Sequence, residues 1–260
     1  MLDLSIAIST ISSRICNLKL EPYPGVQYVI VHQEPNTISD DFLQSIKKRH
    51  DIIYVPLEKR GLSLSRNTGL AISSRKYVMI MDDDVTFSFD SISELIENME
   101  RDNVDVATYY HKYADGRSTL NTRKVYDHNK INIAKPSSID ICIKRNSLLT
   151  FNLSFDESFG LGAKYPSGEE MILLADCLSH KLLIRRYPIE VCTHPPITSG
   201  MDFYSSLDKT IAKYAMFKRV YQQIGPLMFF AFVIKKTPQA YKSGKLLSFL
   251  KNSLISVARL

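Results

Sequence analysis

The 260-residue sequence contains no tryptophan and only four cysteines, Cys16, Cys142, Cys177 and Cys192, which lie far apart with no Cys-x-x-Cys and no histidine at zinc-finger spacing. A disulfide framework and a structural zinc cage are therefore disfavoured. Glycine and proline are scarce, at 10 and 11 residues, which excludes a fibre, and 45% apolar residues is too many for a disordered chain. Long apolar runs are missing as well. The longest, Ile224 to Ile234, covers about 11 residues and includes Gly225 and Pro226, whereas a bilayer-spanning helix needs about 20. Met1 to Ser5 lacks the positive segment of a signal peptide, so a cytosolic location is expected. At this length one catalytic unit with an appendage is expected rather than two full domains.

Negative charge is absent from one region. No Asp or Glu follows Asp208, and residues 201–260 set ten Lys and Arg against Asp202 and Asp208, a balance of +8. The whole chain sums to +6, so the first 200 residues carry −2. Such a division argues against a surface that wraps nucleic acid and for a local basic surface suited to phosphates or anionic lipid. The tail interleaves its basic residues with Tyr214, Phe217, Tyr221, Phe229, Phe230, Phe232, Tyr241 and Phe249. Two readings stand: peripheral attachment to an anionic membrane face, or helices packed on the body with a solvated basic rim.

What the sequence does hold is a series of short apolar runs that read as buried strands: 4–8, 27–31, 51–55, 77–81, 104–109, 139–143 and 182–187. Amphipathic stretches lie between them. Residues 40–50 place Phe42, Leu43 and Ile46 on one helical face, Ser91-x-x-Glu94 reads as a capping box opening a helix to about Met99, and a further helix begins near Ser63 or Ser65. Strands alternating with helices predict an α/β domain with a mainly parallel sheet covered on both faces, and ligands at the carboxyl ends of its strands. Residues 113–136 lack periodicity and read as a long loop or hairpin over that site.

Tyr77-Val-Met-Ile-Met-Asp82-Asp83-Asp84 is the sharpest local feature, a buried strand ending in three carboxylates. On an extended backbone Asp82 and Asp84 point one way and Asp83 the other. Two converging carboxylates repel unless something positive lies between them, and a divalent ion is the usual answer. A solvated acidic turn is the bland alternative. Upstream, Glu58 to Gly69 combines Gly61, hydroxyls and Arg66 at a strand-to-helix turn, which suits a pyrophosphate or simply a capped helix start. Phe155 to Ala163 is followed by Ser167-Gly168-Glu169-Glu170 at the head of a helix running to about Lys181. There a glutamate either takes a proton from a hydroxyl or closes a Ser167-x-x-Glu170 capping box, and the sequence leaves both open. His194, after the strand-like Ile189 to Thr193, is either structural or completes a Mn²⁺ site begun by carboxylates.

Ile6 to Thr10, the Ser-Arg-Asn turn within Gly61 to Gly69, Asp82-Asp83-Asp84 and Phe155 to Glu170, in this order, resemble the family 2 glycosyltransferases of bacterial surface-polysaccharide and lipopolysaccharide synthesis. The resemblance covers residues 4–196. It implies the GT-A (nucleotide-diphospho-sugar transferase) fold, a mainly parallel mixed sheet between helices over residues 1–200, with 201–260 as a basic helical extension. It further implies a DxD motif at Asp82 and Asp84, with Asp84 a direct ligand of Mn²⁺ or Mg²⁺ and His194 adding a ligand. Thr10 and the loop at Gln33 and Glu34 would border the nucleotide, while Gly61, Arg66, Asp82 and Asp83 would face the donor, a UDP-sugar. Glu169-Glu170 stands where the family carries Glu-Asp, making Glu170 the expected base of an inverting transfer to a glycan or lipid-linked glycan. Two departures are visible: His32-Gln33-Glu34-Pro35 replaces Asp-Asp-Gly-Ser, and Glu at 170 sets the carboxylate one methylene further out. A sugar-1-phosphate nucleotidyltransferase is the competing enzyme, weakened by the lack of glycine in Ser9 to Arg14. A non-catalytic binding module is the competing non-enzyme.

Overall fold

The structure is a computed structural model and describes residues 1–35, 38–196, 203–204 and 206–260. The strands are β1 (Leu4–Ile11), β2 (Val26–Gln33), β3 (Ile52–Leu57), β4 (Tyr77–Asp82), β5 (Thr86–Phe87), β6 (Val106–Tyr113), β7 (Tyr126–Asp127), β8 (Ile141–Lys144) and β9 (Ile184–His194). The helices are α1 (Asp40–Lys47), α2 (Leu62–Ile72), α3 (Phe89–Arg101), α4 (Arg145–Thr150), α5 (Glu169–Ser179), α6 (Leu207–Tyr221), α7 (Gly225–Lys242) and α8 (Leu246–Arg259).

The sheet runs β3-β2-β1-β4-β8-β6-β9-β5, with β7 also on β9. β3, β2, β1 and β4 are mutually parallel, as expected, but β8 is antiparallel to both its neighbours, so the second half is mixed. The chain builds outward from β1 through β2 and β3, then returns to place β4 on the other side of β1. This reversal opens a crevice at the carboxyl ends of β1 and β4, where Ser9 lies opposite Asp82.

Alternation along each strand divides the core in two. Leu4, Ile6, Ile8, Tyr77, Met79 and Met81 join α3 on one face, while Ala7, Val78 and Ile80 join α5 on the other. Burial on both faces explains why these strands read as unbroken apolar runs. The second core also takes in Phe203, Tyr214, Phe217, Phe229, Val233 and Phe249, so the basic tail packs on the body. Arg219 pairs with Asp156 and Asp176, and the Tyr221 hydroxyl donates to the Lys130 carbonyl. The expected division at 200/201 falls within 197–202, outside the described residues.

Several local expectations change. Helix α3 starts at Phe89 and is capped by Ser88, whose hydroxyl accepts from the Ser91 amide at 3.3 Å, so Ser91 is inside the helix rather than at its cap. Helix α2 is capped by Gly61 rather than by a serine. Strand β9 runs unbroken through Pro188, where the sequence predicts two segments, 182–187 and 189–193. Three residues between Arg186 and Glu190 stand there against one between Thr108 and Tyr110 on β6, a bulge that tolerates the missing amide. Among the described residues no helix is long and apolar enough to cross a membrane.

Candidate active site

A cavity of about 1150 Å³ lies over the crevice. Thr10, Gln33, Gly61, Arg66, Asp82, Asp83, Asp84, Glu169, Glu170 and His194 all line it. Glu34 does not; it grips Arg60, which does, and accepts from the Ser12 hydroxyl at 2.8 Å.

The acidic triplet is not arranged as strand alternation predicts. Strand β4 ends at Asp82 and the chain turns at once, so Asp83 and Asp84 leave the strand and share one cation. Asp83 is buried, accepts from the Thr10 hydroxyl at 2.7 Å, and takes the Nε of Arg14 at 2.8 Å. Arg14 Nη2 reaches on to Asp84 Oδ2 at 3.0 Å. Asp82 turns instead toward Arg66, with Oδ1 3.4 Å from Nη2. Nothing local in the sequence couples Arg14 to carboxylates some 70 positions away.

Arg66 is the hub. Its side chain is 2% exposed, and it donates to Glu169 Oε1 at 2.9 Å, Glu170 Oε1 at 3.5 Å and the Ser138 hydroxyl at 2.7 Å besides Asp82. Three carboxylates around one guanidinium leave a negative surplus. Burial pushes Glu169 up to about 7, the Glu170 charge adds to this, and Arg66 opposes it. Burial likewise raises Asp82 against the pull of Arg66. Lys213 of α6 also faces this group: burial lowers its pKa while Glu170 and Glu169 hold it up.

Helix α5 presents its glutamates through an unusual start. Its cap is Gly168 at φ +112°, with no side-chain hydrogen bond, so the Ser167-x-x-Glu170 capping box does not form and Glu170 is left for Arg66 and the cavity. A β-carbon at Gly168 would also sit 2.9 Å from the Met216 side chain. The loop before it is held down by α2: Ser63 donates to the Phe159 carbonyl at 2.5 Å, and Asn67 both donates to the Phe155 carbonyl and accepts from its amide. The Ser-Arg-Asn segment thus joins the two halves of the site.

His194 ends β9 with Nε2 3.6 Å from Asp84 Oδ1. Among the described residues no three His, Cys, Asp or Glu side chains converge as a cation cage. Asp84 and His194 still offer one oxygen and one nitrogen to a common point, a donor pair that fits Mn²⁺, and fits Mg²⁺ through the Asp84 oxygen alone, when other ligands come from a substrate. His111, its Nδ1 2.7 Å from Asp140 and its Nε2 buried without a partner, also lines the cavity and had no signal in the sequence.

The sequence profile described as Glycosyl transferase family 2 matches residues 8–155, more than half of the chain. Glycosyltransferase GlyA of Streptococcus pneumoniae serotype 4 is 29% identical over 93 residues, which are 35% of this chain but only 13% of that protein. Among solved structures, S. aureus TarS 1–349 in complex with UDP aligns with a TM-score of 0.63 at 13% identity, covering 91% of this chain and 72% of that one. The same protein in complex with UDP-GlcNAc gives 0.61 at 14%, covering 96% and 72%. At such identities the structural likeness speaks to the fold, which is GT-A. With the profile match over the half of the chain that carries Thr10, Arg66 and the acidic triplet, this chain belongs to glycosyl transferase family 2.

Proposed function

We propose that the chain transfers a sugar from a UDP-sugar to a hydroxyl of a glycan or lipid-linked glycan in surface-polysaccharide or lipopolysaccharide assembly, with inversion. One observation carries this reading: a single cavity joins the acidic triplet at the end of β4 to Glu169 and Glu170 of α5 through Arg66. The TarS complexes with UDP and UDP-GlcNAc support uridine as the nucleotide. The transfer is one displacement. The acceptor oxygen bonds to the anomeric carbon, the bond from that carbon to the diphosphate breaks, and the acceptor proton passes to Glu170. Glu170 suits this because its side chain is 21% exposed into the cavity, whereas that of Glu169 is 6% exposed and bound to Arg66. Arg66 holds both glutamates in place. A divalent ion at Asp84 and His194 would supply charge neutralisation on the leaving diphosphate. Thr10, Gln33 and Gly61 border the nucleotide.

A thermal-shift screen of UDP-, GDP- and dTDP-sugars with and without Mn²⁺ tests the donor. UDP-sugars are expected to stabilise most, with a Mn²⁺-dependent part that Asp84→Ala abolishes; stabilisation by another nucleotide alone would sink the uridine assignment. Pyrophosphate formed from UTP and a sugar 1-phosphate would favour the nucleotidyltransferase. No turnover of any nucleotide sugar alongside tight binding to a protein would favour the module.

The tail supplies the acceptor side of the proposal. Leu227, Phe230, Ile234 and Tyr241 on α7, and Leu247, Leu250 and Leu254 on α8, are exposed at helical spacing among lysines with no acidic residue. Such faces suit peripheral contact with an anionic bilayer. Vesicles rich in phosphatidylglycerol should sediment the protein, and Leu247→Ser with Leu254→Ser should reduce the bound fraction several-fold. Equal sedimentation of both forms removes the membrane contact.

A further inference from the structure

Among the described residues four arginines line the cavity, and three of them meet carboxylates: Arg14 with Asp83 and Asp84, Arg60 with Glu34, and Arg66 with Asp82, Glu169 and Glu170. Arg186 differs. It is 3% exposed, makes no ion pair among the described residues, and its Nε and Nη1 are buried without hydrogen-bond partners. Its guanidinium lies 3.8 Å from the centroid of the Tyr110 ring, a contact that fixes its plane. Directly opposite Arg186 in the β7–β9 ladder stands Tyr126, whose hydroxyl is also buried with no hydrogen-bond partner among the described residues. Opposed residues in a ladder share a face of the sheet, and both line the cavity. Lys135, a third lining residue, has its ammonium 5.6 Å from the Tyr126 ring. The local field is positive: burial lowers His128 to about 4, and the charges of Arg186 and Lys135 act in the same direction.

Buried donors are almost always paired, and an unpaired buried charge is costly. A guanidinium edge and a phenol hydroxyl that converge beside an ammonium are together the complement of an oxyanion. We propose that Arg186, Tyr126 and Lys135 form an oxyanion subsite at the acceptor end of the cavity, which takes a phosphate or carboxylate group carried by the acceptor. Position assigns the subsite to the acceptor. Arg186 pairs with Thr108 and His194 with Tyr113 on β6, five residues apart, or roughly 17 Å along a strand. A diphosphate held near Asp84 does not extend that far. The inference rests on the cavity being the transfer site and narrows the acceptor to an anionic one.

Calorimetric titration of the full chain saturated with UDP and Mg²⁺ tests it, using glycerol 3-phosphate and glucuronate as probes and glycerol as the neutral control. Wild type should bind at least one anion and not glycerol. Arg186→Gln should weaken that binding tenfold or more and Arg186→Lys threefold or less, with UDP affinity within twofold in both. Because Arg186 meets no carboxylate among the described residues, the anion-free Arg186→Gln protein should melt within about 3 °C of wild type, unlike a variant that loses a structural ion pair. The subsite is overturned if wild type binds neither anion, if Arg186→Gln binds as well as wild type, or if UDP affinity falls in step, which would place Arg186 at the donor. Failure of UDP itself to bind overturns the donor assignment instead, and the same titration without nucleotide then decides the subsite.

Discussion

Replacing Glu170 with Gln is expected to lower sugar transfer by about 10²- to 10⁴-fold while leaving UDP affinity within about twofold. The amide keeps the shape of the side chain and an oxygen for Arg66 Nη1, now 3.5 Å from Glu170 Oε1, but cannot accept the acceptor proton. Arg66 retains Glu169 and Asp82, so the cluster survives. Single-turnover transfer measured beside UDP binding checks this. Glu169→Gln makes the comparison decisive: if it loses transfer and Glu170→Gln does not, the base is Glu169.

Arg66→Met should produce the largest loss of stability, about 3–5 kcal/mol near pH 8, because it takes the bonded cation from buried Glu169 and part-buried Asp82 and Glu170 and leaves them only the nearby charge of Lys213. For a chain of this size that lowers Tm by about 10 °C. The deficit should narrow on acidification. Burial already raises Asp82 and Glu169 in the folded protein, Glu169 to about 7, and removing Arg66 raises them further. Between the unfolded carboxylate range near pH 4 and these raised values the folded state binds more protons, so stability is recovered as pH falls through them. Thermal unfolding of both proteins from pH 5 to pH 8 checks the sign. A deficit that does not change with pH would mean that Arg66 acts through packing against Phe155, whose ring it faces at 5.7 Å.

The candidate site was partly legible because its main carboxylates announce themselves locally. Asp82-Asp83-Asp84 ends an apolar strand, and Glu169-Glu170 opens a helix after a glycine-rich loop. Their orientations were not legible. The alternation rule failed at Asp83 because β4 stops one residue earlier, and the Ser167 capping box failed because Gly168 takes a left-handed conformation that makes it the cap. Arg14, Lys213, His111 and Arg186 look like ordinary basic residues in the sequence; only long-range packing gives each its neighbours.

The tail shows the same divide. Composition located every excess charge in residues 201–260, yet only the packing of Phe217, Phe229 and Phe249 into the second core showed that α6–α8 cover the body, with α6 and α7 forming part of the cavity wall. By itself the sequence determined the strand and helix periods, the two-faced burial of the parallel strands and the uneven charge, because these depend on near neighbours and on summed composition. Among the described residues, the tertiary structure decided which arginines of the cavity meet carboxylates and that Arg186 does not. Pairing depends on side chains as far apart in sequence as Arg66 and Glu170 or Tyr126 and Arg186, which only the folded sheet brings together.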